Sequence, residues 1–368
     1  RQYQYNTFRR LRMKFIHIAD VHWGMNPDSD KSWSWERAQA IKDTFASVIR
    51  EARERDVDCL FISGDLFHHQ PLARDLKELN YLFSTIPSVH VCIIAGNHDR
   101  IRKSSALLSF TWAPNVTFFM DEELRSVYFE DINTEVFGMS YHTPEITENR
   151  LLDLKAPSNT HTNVLMVHGG DGKHLPFDRA NLAASGFSYI ALGHIHKPEI
   201  IKGTPMAYPG SLEPLDKTEN GPHGMLVGEL NYLTKQLTSL TFVPMAQAQY
   251  ISLVIDVTPQ TTNMELSQRI SEEIQKRGTE HIYRFRIRGM RDPEVAFDLQ
   301  ALEKRLKIVE ILDETEPQYD FSALFAEHPS DMIGLYIQAL QKDDMSPVEK
   351  KAMYYGINAL LHTMDERS

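Results

Sequence analysis

The chain has 368 residues, of which 42% are apolar and 24% charged, enough for ordinary cores and for two folded units or more. Its formal net charge of −11 argues against a protein that grips nucleic acid by bulk positive charge. No stretch is long and apolar enough to span a membrane, no signal-peptide pattern appears, and the two cysteines, Cys59 and Cys92, fall inside strand-like runs. They read as buried small hydrophobes of a reducing compartment, so the expected location is cytoplasmic.

In chain order, residues 1–12 lack a starting Met and precede the natural-looking start Met13-Lys14-Phe15. They are set aside as a tag or non-native leader. Apolar runs of strand length come next at Phe15 to Ala19, Cys59 to Ser63, Val89 to Ala95, Val164 to Val167 and Tyr189 to Leu192. Between them, Ala38, Ile41, Phe45, Val48, Ile49 and Ala52 form a helical stripe within Trp35 to Arg55. Leu76, Leu79, Leu82, Phe83 and Ile86 repeat it within Leu72 to Ile86. A third short helix is predicted over Ser104 to Trp112, ended by Pro114. The runs Met225 to Leu230 and Leu237 to Val243 suit the second sheet of a sandwich.

A boundary falls at Pro244 to Gln249, after which the pattern restarts as strand, helix, strand. Tyr250 to Val257 precedes a Thr262-x-x-Glu265 capping box, and the helix so begun runs to Arg277 with Gly278 as its stop. In the next strand, Tyr283-Arg284-Phe285-Arg286-Ile287-Arg288, period 2 puts Arg284, Arg286 and Arg288 on one face. Those arginines are either a stripe for a DNA backbone or a solvated face paired with nearby glutamates. The C-terminal stretch reads as helical, with a Ser346-Pro347-Val348-Glu349 capping box. Its stripe of Met353, Tyr354, Ile357, Leu360, Leu361 and Met364 needs a partner surface, by default the rest of the chain. The expected divisions are thus 13–245, 249–325 and 326–368.

The chemistry lies in short motifs placed directly after the first five strand-like runs. These motifs are Asp20-Val21-His22, Gly64-Asp65, Gly96-Asn97-His98-Asp99, His168-Gly169 and Gly193-His194-Ile195-His196. In open α/β sheets, ligands gather outside the carboxyl ends of strands, so one edge receives Asp20, His22, Asp65, Asn97, His168, His194 and His196. Carboxylate, amide oxygen and imidazole suit hard or borderline divalent ions. This set is too large for one open catalytic ion but fits two ions that share a carboxylate. Two ions roughly 3.5–4 Å apart can hold a hydroxide and clamp the oxygens of an in-line phosphoryl displacement. Asp65 is the natural bridge, since Gly64 permits close approach of backbone and metal. Any one motif could merely cap a strand end or satisfy a buried polar group. All five at successive strand ends point to a binuclear metal site.

D-x-H, G-D, G-N-H-D, H-G and G-H-x-H in this order resemble the calcineurin-like metallophosphoesterase signature, from Met13 to roughly Pro244. Gly64-Asp65-Leu66-Phe67-His68, the opening Ile16 to Gly24 and Tyr208-Pro209-Gly210-Ser211 are similar to its DNA-repair nuclease branch. That branch comprises SbcD, YhaO-type exonucleases and the eukaryotic double-strand-break nuclease. The resemblance implies an α/β fold: a four-layer sandwich of two central sheets flanked by helices, a small α/β capping domain and a helical C-terminus. It implies one ion on Asp20, His22, Asp65 and His196, and another on Asp65, Asn97, His168 and His194. His98 would face the scissile phosphate and protonate the leaving alkoxide or stabilise the transition state. His68 would be a second substrate-facing or supporting imidazole, and Asp99 would either orient His98 or close its loop. The implied ions are Mn2+, although the ligand set would also accept Fe, Zn or Mg.

The resemblance further implies a homodimer through helices near residues 104–112 and docking of an SbcC-type, SMC-like ATPase on the C-terminal helices. The chain departs from the fuller pattern in showing no clear linker before a dedicated ATPase-binding helix pair. The expected function is a metal-dependent DNA exonuclease with endonuclease activity, processing double-strand breaks or DNA ends through a metal-bridging hydroxide. The alternatives are a phosphatase or small-substrate or cyclic-nucleotide phosphodiesterase on the same core, and a non-catalytic DNA-binding subunit of an SMC-like complex. His69 and His223 are undecided. His17, His90, His142, His161, His174, His281, His328 and His362 are assigned to surface or satisfied core. Trp33 and Trp35 suit either base stacking or packing at the start of the first helix.

Overall fold

The computed structural model describes residues 12–158 and 160–365, so the leader proposed over residues 1–12 lies outside the described residues except for Arg12. The chain divides into two units, meeting at Tyr250 and Ile251.

The first unit contains β1 (Arg12–Ile18), α1 (Ser34–Glu54), β2 (Cys59–Ser63), α2 (Ala73–Ser84), β3 (His90–Ile94) and β4 (Val116–Phe119). Then come β5 (Arg125–Phe129), β6 (Thr134–Gly138), β7 (Thr162–His168), α3 (Arg179–Ala183), β8 (Tyr189–Gly193), β9 (Glu199–Ile200) and β10 (Met206–Tyr208). β11 (Gly224–Asn231) and β12 (Leu237–Pro244) complete it. One sheet has the order β12-β11-β1-β2-β3-β4 and the other β5-β6-β7-β8-β10-β9. Both have parallel centres, β1 to β4 in the first and β6, β7, β8 and β10 in the second.

Period-2 alternation explains why the sheets stack. Met13, Phe15, Cys59, Phe61, Cys92 and Ile94 face inward and pack with Val164, Met166, Tyr189 and Ala191 of the other sheet. The alternate residues Ile16, Ile18, Leu60, Ile62, Val91 and Ile93 face outward, against Phe45 and Val48 of α1 and Leu79 and Phe83 of α2. The outer face of the second sheet is covered by Leu182 of α3 and by Met139, Leu151, Leu175 and Phe187 from connecting segments. The layers are therefore helices, sheet, sheet, and a cover that is mostly loop.

Two expectations are corrected. β11 and β12 extend the first sheet, with β11 antiparallel to β1, instead of building the second sheet. Between 104 and 112 there is only one 3-10 turn, Ala106–Leu108, with Ser105 as its cap. Trp112 anchors that segment to Phe83, Phe110 and Phe118, and this core packing prevails over the helical spacing.

The second unit carries the remainder of β13 (Tyr250–Val257), then α4 (Asn263–Arg277), β14 (Ile282–Arg291), α5 (Leu299–Arg305) and β15 (Ile308–Pro317). The strands form one sheet, β13-β14-β15. Thr262 and Glu265 form the capping box of α4, and Gly278 ends it at φ 120°, a conformation favouring glycine. Helices α6 (Phe321–Glu327), α7 (Met332–Leu340) and α8 (Pro347–Asp365) complete this unit. Met353 and Ile357 of α8 are buried against Ile333 and Ile337 of α7, so the apolar stripe is covered by its own chain. The side chain of Met364 lies outside the described residues. No helix among the described residues is long and apolar enough to cross a membrane.

Candidate metal centre

Loops from both sheets build the site. β1, β2 and β3 of the first sheet end in Asp20/His22, Asp65 and Asn97/His98/Asp99; β7 and β8 of the second end in His168 and His194/His196. The expectation of a single sheet edge is therefore corrected to two facing ones.

The loops are zipped together by backbone bonds. Asp20 N–H donates to Gly64 O at 3.1 Å, His22 N–H to Asp65 O at 3.0 Å, and Gly169 N–H to Gly193 O at 3.1 Å. Asp20, His22, Asp65 and His194 all have positive φ (50°, 51°, 49° and 94°). Each such non-glycine residue costs about 1–3 kcal/mol and persists only where its surroundings enforce it, typically at functional sites. Gly64, at φ 91°, makes room for His168: a Cβ there would lie 2.6 Å from the imidazole Cγ.

All seven expected ligands come together. His168 Nε2 lies 3.3 Å from Asp65 Oδ2 and 3.1 Å from Asn97 Oδ1. His22 Nε2 lies 3.8 Å from Asp65 Oδ2 and 3.3 Å from His196 Nε2, which is itself 3.7 Å from Asp20 Oδ1. His194 joins through its backbone, whose N–H donates to Asp20 Oδ2 at 3.0 Å, and its ring centroid lies 5.3 Å from that of His168.

The donor set fits cations. His168 Nδ1 is 2.9 Å from Ser63 O, His196 Nδ1 is 2.6 Å from Glu219 Oε1, and His194 Nε2 is 2.8 Å from Asp171 Oδ2. A ring nitrogen bonded to a carbonyl or carboxylate carries the proton, so in the neutral ring the other nitrogen offers a lone pair. His168 Nε2 and His196 Nε2 are thereby aimed at the buried carboxylates. Without a cation, protons take that role. Burial opposes the charge on His168, but Asp65 prevails and raises its pKa to about 9. Burial likewise opposes His196, yet its bond to Glu219 and the charge of Asp20 raise it to about 9. Burial would raise Asp65, but the charge and hydrogen bond of His168 hold it below the usual carboxylate range. Burial pushes Asp20 upward.

Asp99 is buried and accepts from Gly96 N–H at 2.7 Å and Phe67 N–H at 3.1 Å, contacts that close the loop. His98 Nδ1 lies 3.3 Å from His68 O, and its backbone N–H donates to Asp65 Oδ1 at 2.9 Å. That arrangement engages Nδ1 and leaves Nε2 on the opposite side of the ring. The His68 ring stacks 5.2 Å from that of His98, and its Nδ1 is 3.1 Å from His22 Nδ1. Burial, with like charge from His69, lowers the His68 pKa to about 4 and keeps it neutral. Geometrically, His22, His68 and His98 are also close enough to share an ion.

A cleft of about 560 Å³ opens beside these groups, lined by His68, His69, Asn97, His98, Arg100, Arg102 and His174 among others. Neither Arg100 nor Arg102 forms an ion pair among the described residues. By contrast, Arg284 lies 2.6 Å from Glu310, Arg286 2.9 Å from Glu314, and Arg288 3.7 Å from Asp256.

Sequence reasoning missed Asp171, Glu219, Arg100 and Arg102, and assigned His174 to surface or satisfied core. Asp171 and Arg100 carried a signal in their position directly after His168-Gly169-Gly170 and Gly96-Asn97-His98-Asp99. Glu219 carried none. His223 is buried, with Nδ1 2.9 Å from Ser211 Oγ, and Ser211 Oγ in turn lies 3.1 Å from Glu219 Oε2. Trp33 is buried while Trp35 is exposed.

Calcineurin-like phosphoesterase is the family description that matches residues 13–198, half of the chain, and the chain belongs to this family of metal-using enzymes. Among relatives, it is 26% identical to the metallophosphoesterase YhaO of Bacillus subtilis (strain 168) over 304 residues, 75% of this chain and 72% of that protein. It is 28% identical to the DNA double-strand break repair protein Mre11 of Methanopyrus kandleri over 357 residues, 86% of this chain and 76% of that one. The protein of the same description from Methanocaldococcus jannaschii is 30% identical over 221 residues, covering 56% of this chain and 58% of its own.

Proposed function

We propose that the chain is a metal-dependent DNA phosphodiesterase, an exonuclease with endonuclease activity that processes double-strand breaks or DNA ends. Asp20, His22, Asp65 and His196 hold one divalent ion, and Asp65, Asn97, His168 and His194 hold the other, with Mn2+ as the proposed metal. The observation that carries the reading is the convergence of these side chains beside a cleft whose wall includes His98. Similarity to proteins described as Mre11 favours DNA as the substrate.

Ions held there would supply Lewis acidity toward water and offset negative charge at the phosphorus. His98, fixed through Nδ1 by the His68 carbonyl, gives a proton from Nε2 to the leaving oxygen. His68 supports that ring by stacking and stays neutral. Arg100, whose Nη1 donates to Asn97 O at 3.2 Å, and Arg102 form no ion pair among the described residues and can hold backbone phosphates, so DNA can bind locally despite the acidic chain. The arginines of β14, each already facing a carboxylate, are weaker candidates for that role. An SbcC-type, SMC-like ATPase would dock on the exposed Met332, Leu335, Val348 and Tyr355, since the main stripe of α8 is internal.

End-labelled single- and double-stranded DNA, digested in Mn2+, Mg2+ or chelator beside a small phosphodiester, tests the reading. Mn2+-dependent shortening of DNA is expected. Turnover of the small ester alone would instead identify a small-substrate phosphodiesterase.

A further inference from the structure

We infer that the two ion sites are unequal, because each imidazole of the Gly193-His194-Ile195-His196 motif is held from behind by a different carboxylate, Glu219 for His196 and Asp171 for His194. The inference rests on the ligand set proposed above, and it makes Glu219 and Asp171 positioning residues.

Two residues apart on one loop, the rings have separate supports. Glu219 Oε1 lies 2.6 Å from His196 Nδ1. Its other oxygen accepts from Ser211 Oγ at 3.1 Å and from Leu215 N–H at 2.9 Å. The Glu219 side chain is 16% exposed, so it is fixed at both oxygens and shielded from water. Asp171 Oδ2 lies 2.8 Å from His194 Nε2, but that oxygen is also 3.0 Å from His174 Nδ1. Its other oxygen accepts the backbone N–H groups of Lys173 and His174, both at 2.8 Å. Asp171 is 44% exposed, so its charge is divided between two imidazoles and screened by solvent.

A carboxylate behind a ligating histidine fixes the tautomer and raises the basicity of the nitrogen facing the ion. Undivided and shielded, Glu219 does this more strongly than Asp171. The His196 site is therefore the tight one, and the His194 site the readily exchanging one.

The test is calorimetric titration of the metal-free full chain with MnCl2, for wild type, Glu219→Gln and Asp171→Asn. Wild type takes up two equivalents of different affinity. Glu219→Gln weakens the tight equivalent by about 10–100-fold and leaves the other within about threefold, while Asp171→Asn does the reverse. Glu219→Asp, which keeps the charge but shortens its reach, falls between wild type and Gln. Melting temperatures in chelator that match wild type separate lost affinity from lost fold. Variants that bind both equivalents as wild type does, or that weaken both equally, overturn the inference. A wild-type protein that takes up fewer than two equivalents overturns the ligand set itself, and this inference with it.

Discussion

Replacing Gly96 by alanine perturbs the proposed centre at its middle without replacing a ligand. A Cβ at Gly96 would collide with Asp65 Oδ1 and lie 2.7 Å from His168 Nε2 and 2.8 Å from Asp65 Cγ. Non-bonded heavy atoms rest at about 3.5 Å or more, so His168 must yield by roughly 0.8 Å and Asp65 by more. Asp65 has little freedom to do so: Oδ1 accepts the His98 N–H at 2.9 Å, and Oδ2 faces His168 at 3.3 Å. Overpacking of this kind costs about 1–3 kcal/mol of stability, while a 1 Å misplacement of reacting groups costs about 100-fold in rate. Gly96→Ala is therefore expected to stay folded by circular dichroism, yet to hydrolyse bis(p-nitrophenyl) phosphate in Mn2+ about 100-fold more slowly than wild type. A rate within about threefold of wild type would refute the claim that Asp65 and His168 must keep this spacing for the reaction.

Two stability predictions concern groups outside the ligand set. His17 sits between the sheets with Nδ1 2.8 Å from Tyr189 Oη, and burial lowers its pKa to about 3 from 6.5. The folded state thus resists protonation: the stability tied to neutral His17 is complete above pH 6.5 and is lost as the pH falls toward 3. Between pH 7 and pH 5 the loss is about 2 kcal/mol, and urea titrations of His17→Gln should lack it; parallel pH dependences would count against the assignment. Arg37 is buried 3.5 Å from the fully buried Glu213, donates to Pro214 O and lies 5.8 Å from the Tyr250 ring centroid. Arg37→Met leaves Glu213 without its cation, so urea unfolding should reveal a loss of about 3–5 kcal/mol; a loss below about 1 kcal/mol would mean that Thr44 and Gln247 satisfy Glu213 alone.

The strand-end motifs were legible because their signal is local: an apolar run, then a turn residue, then a ligand. The same locality explains α1, α2 and the Thr262 and Ser346 capping boxes, whose determinants lie within one turn. Sheet membership was not local. β11 and β12 read correctly as strands, yet their place in the first sheet depends on β1, more than 200 positions away, through pairings such as Met13 with Leu230. The turn at 106–108 was misread because Trp112, Leu107 and Phe110 have helical spacing but are spent on core contacts. Glu219 was invisible because its role lies in a bond to His196, and nothing around it in sequence marks a ligand support. The left-handed backbone at Asp20, His22 and Asp65 was equally hidden, since sequence favours glycine there and the fold overrides that preference. For the β14 arginines, alternation gave the shared face; their acidic partners came mainly from β15, a strand absent from the sequence reading.

Cleavage of end-labelled DNA in Mn2+ by wild type and His98→Ala, with Mn2+ uptake measured on the same samples, tests the central claim most directly. The account predicts that the variant still takes up two equivalents of Mn2+ while its cleavage falls by about 100-fold or more, because His98 moves a proton and holds no ion. Unchanged DNA cleavage by His98→Ala, with both equivalents bound, would contradict it.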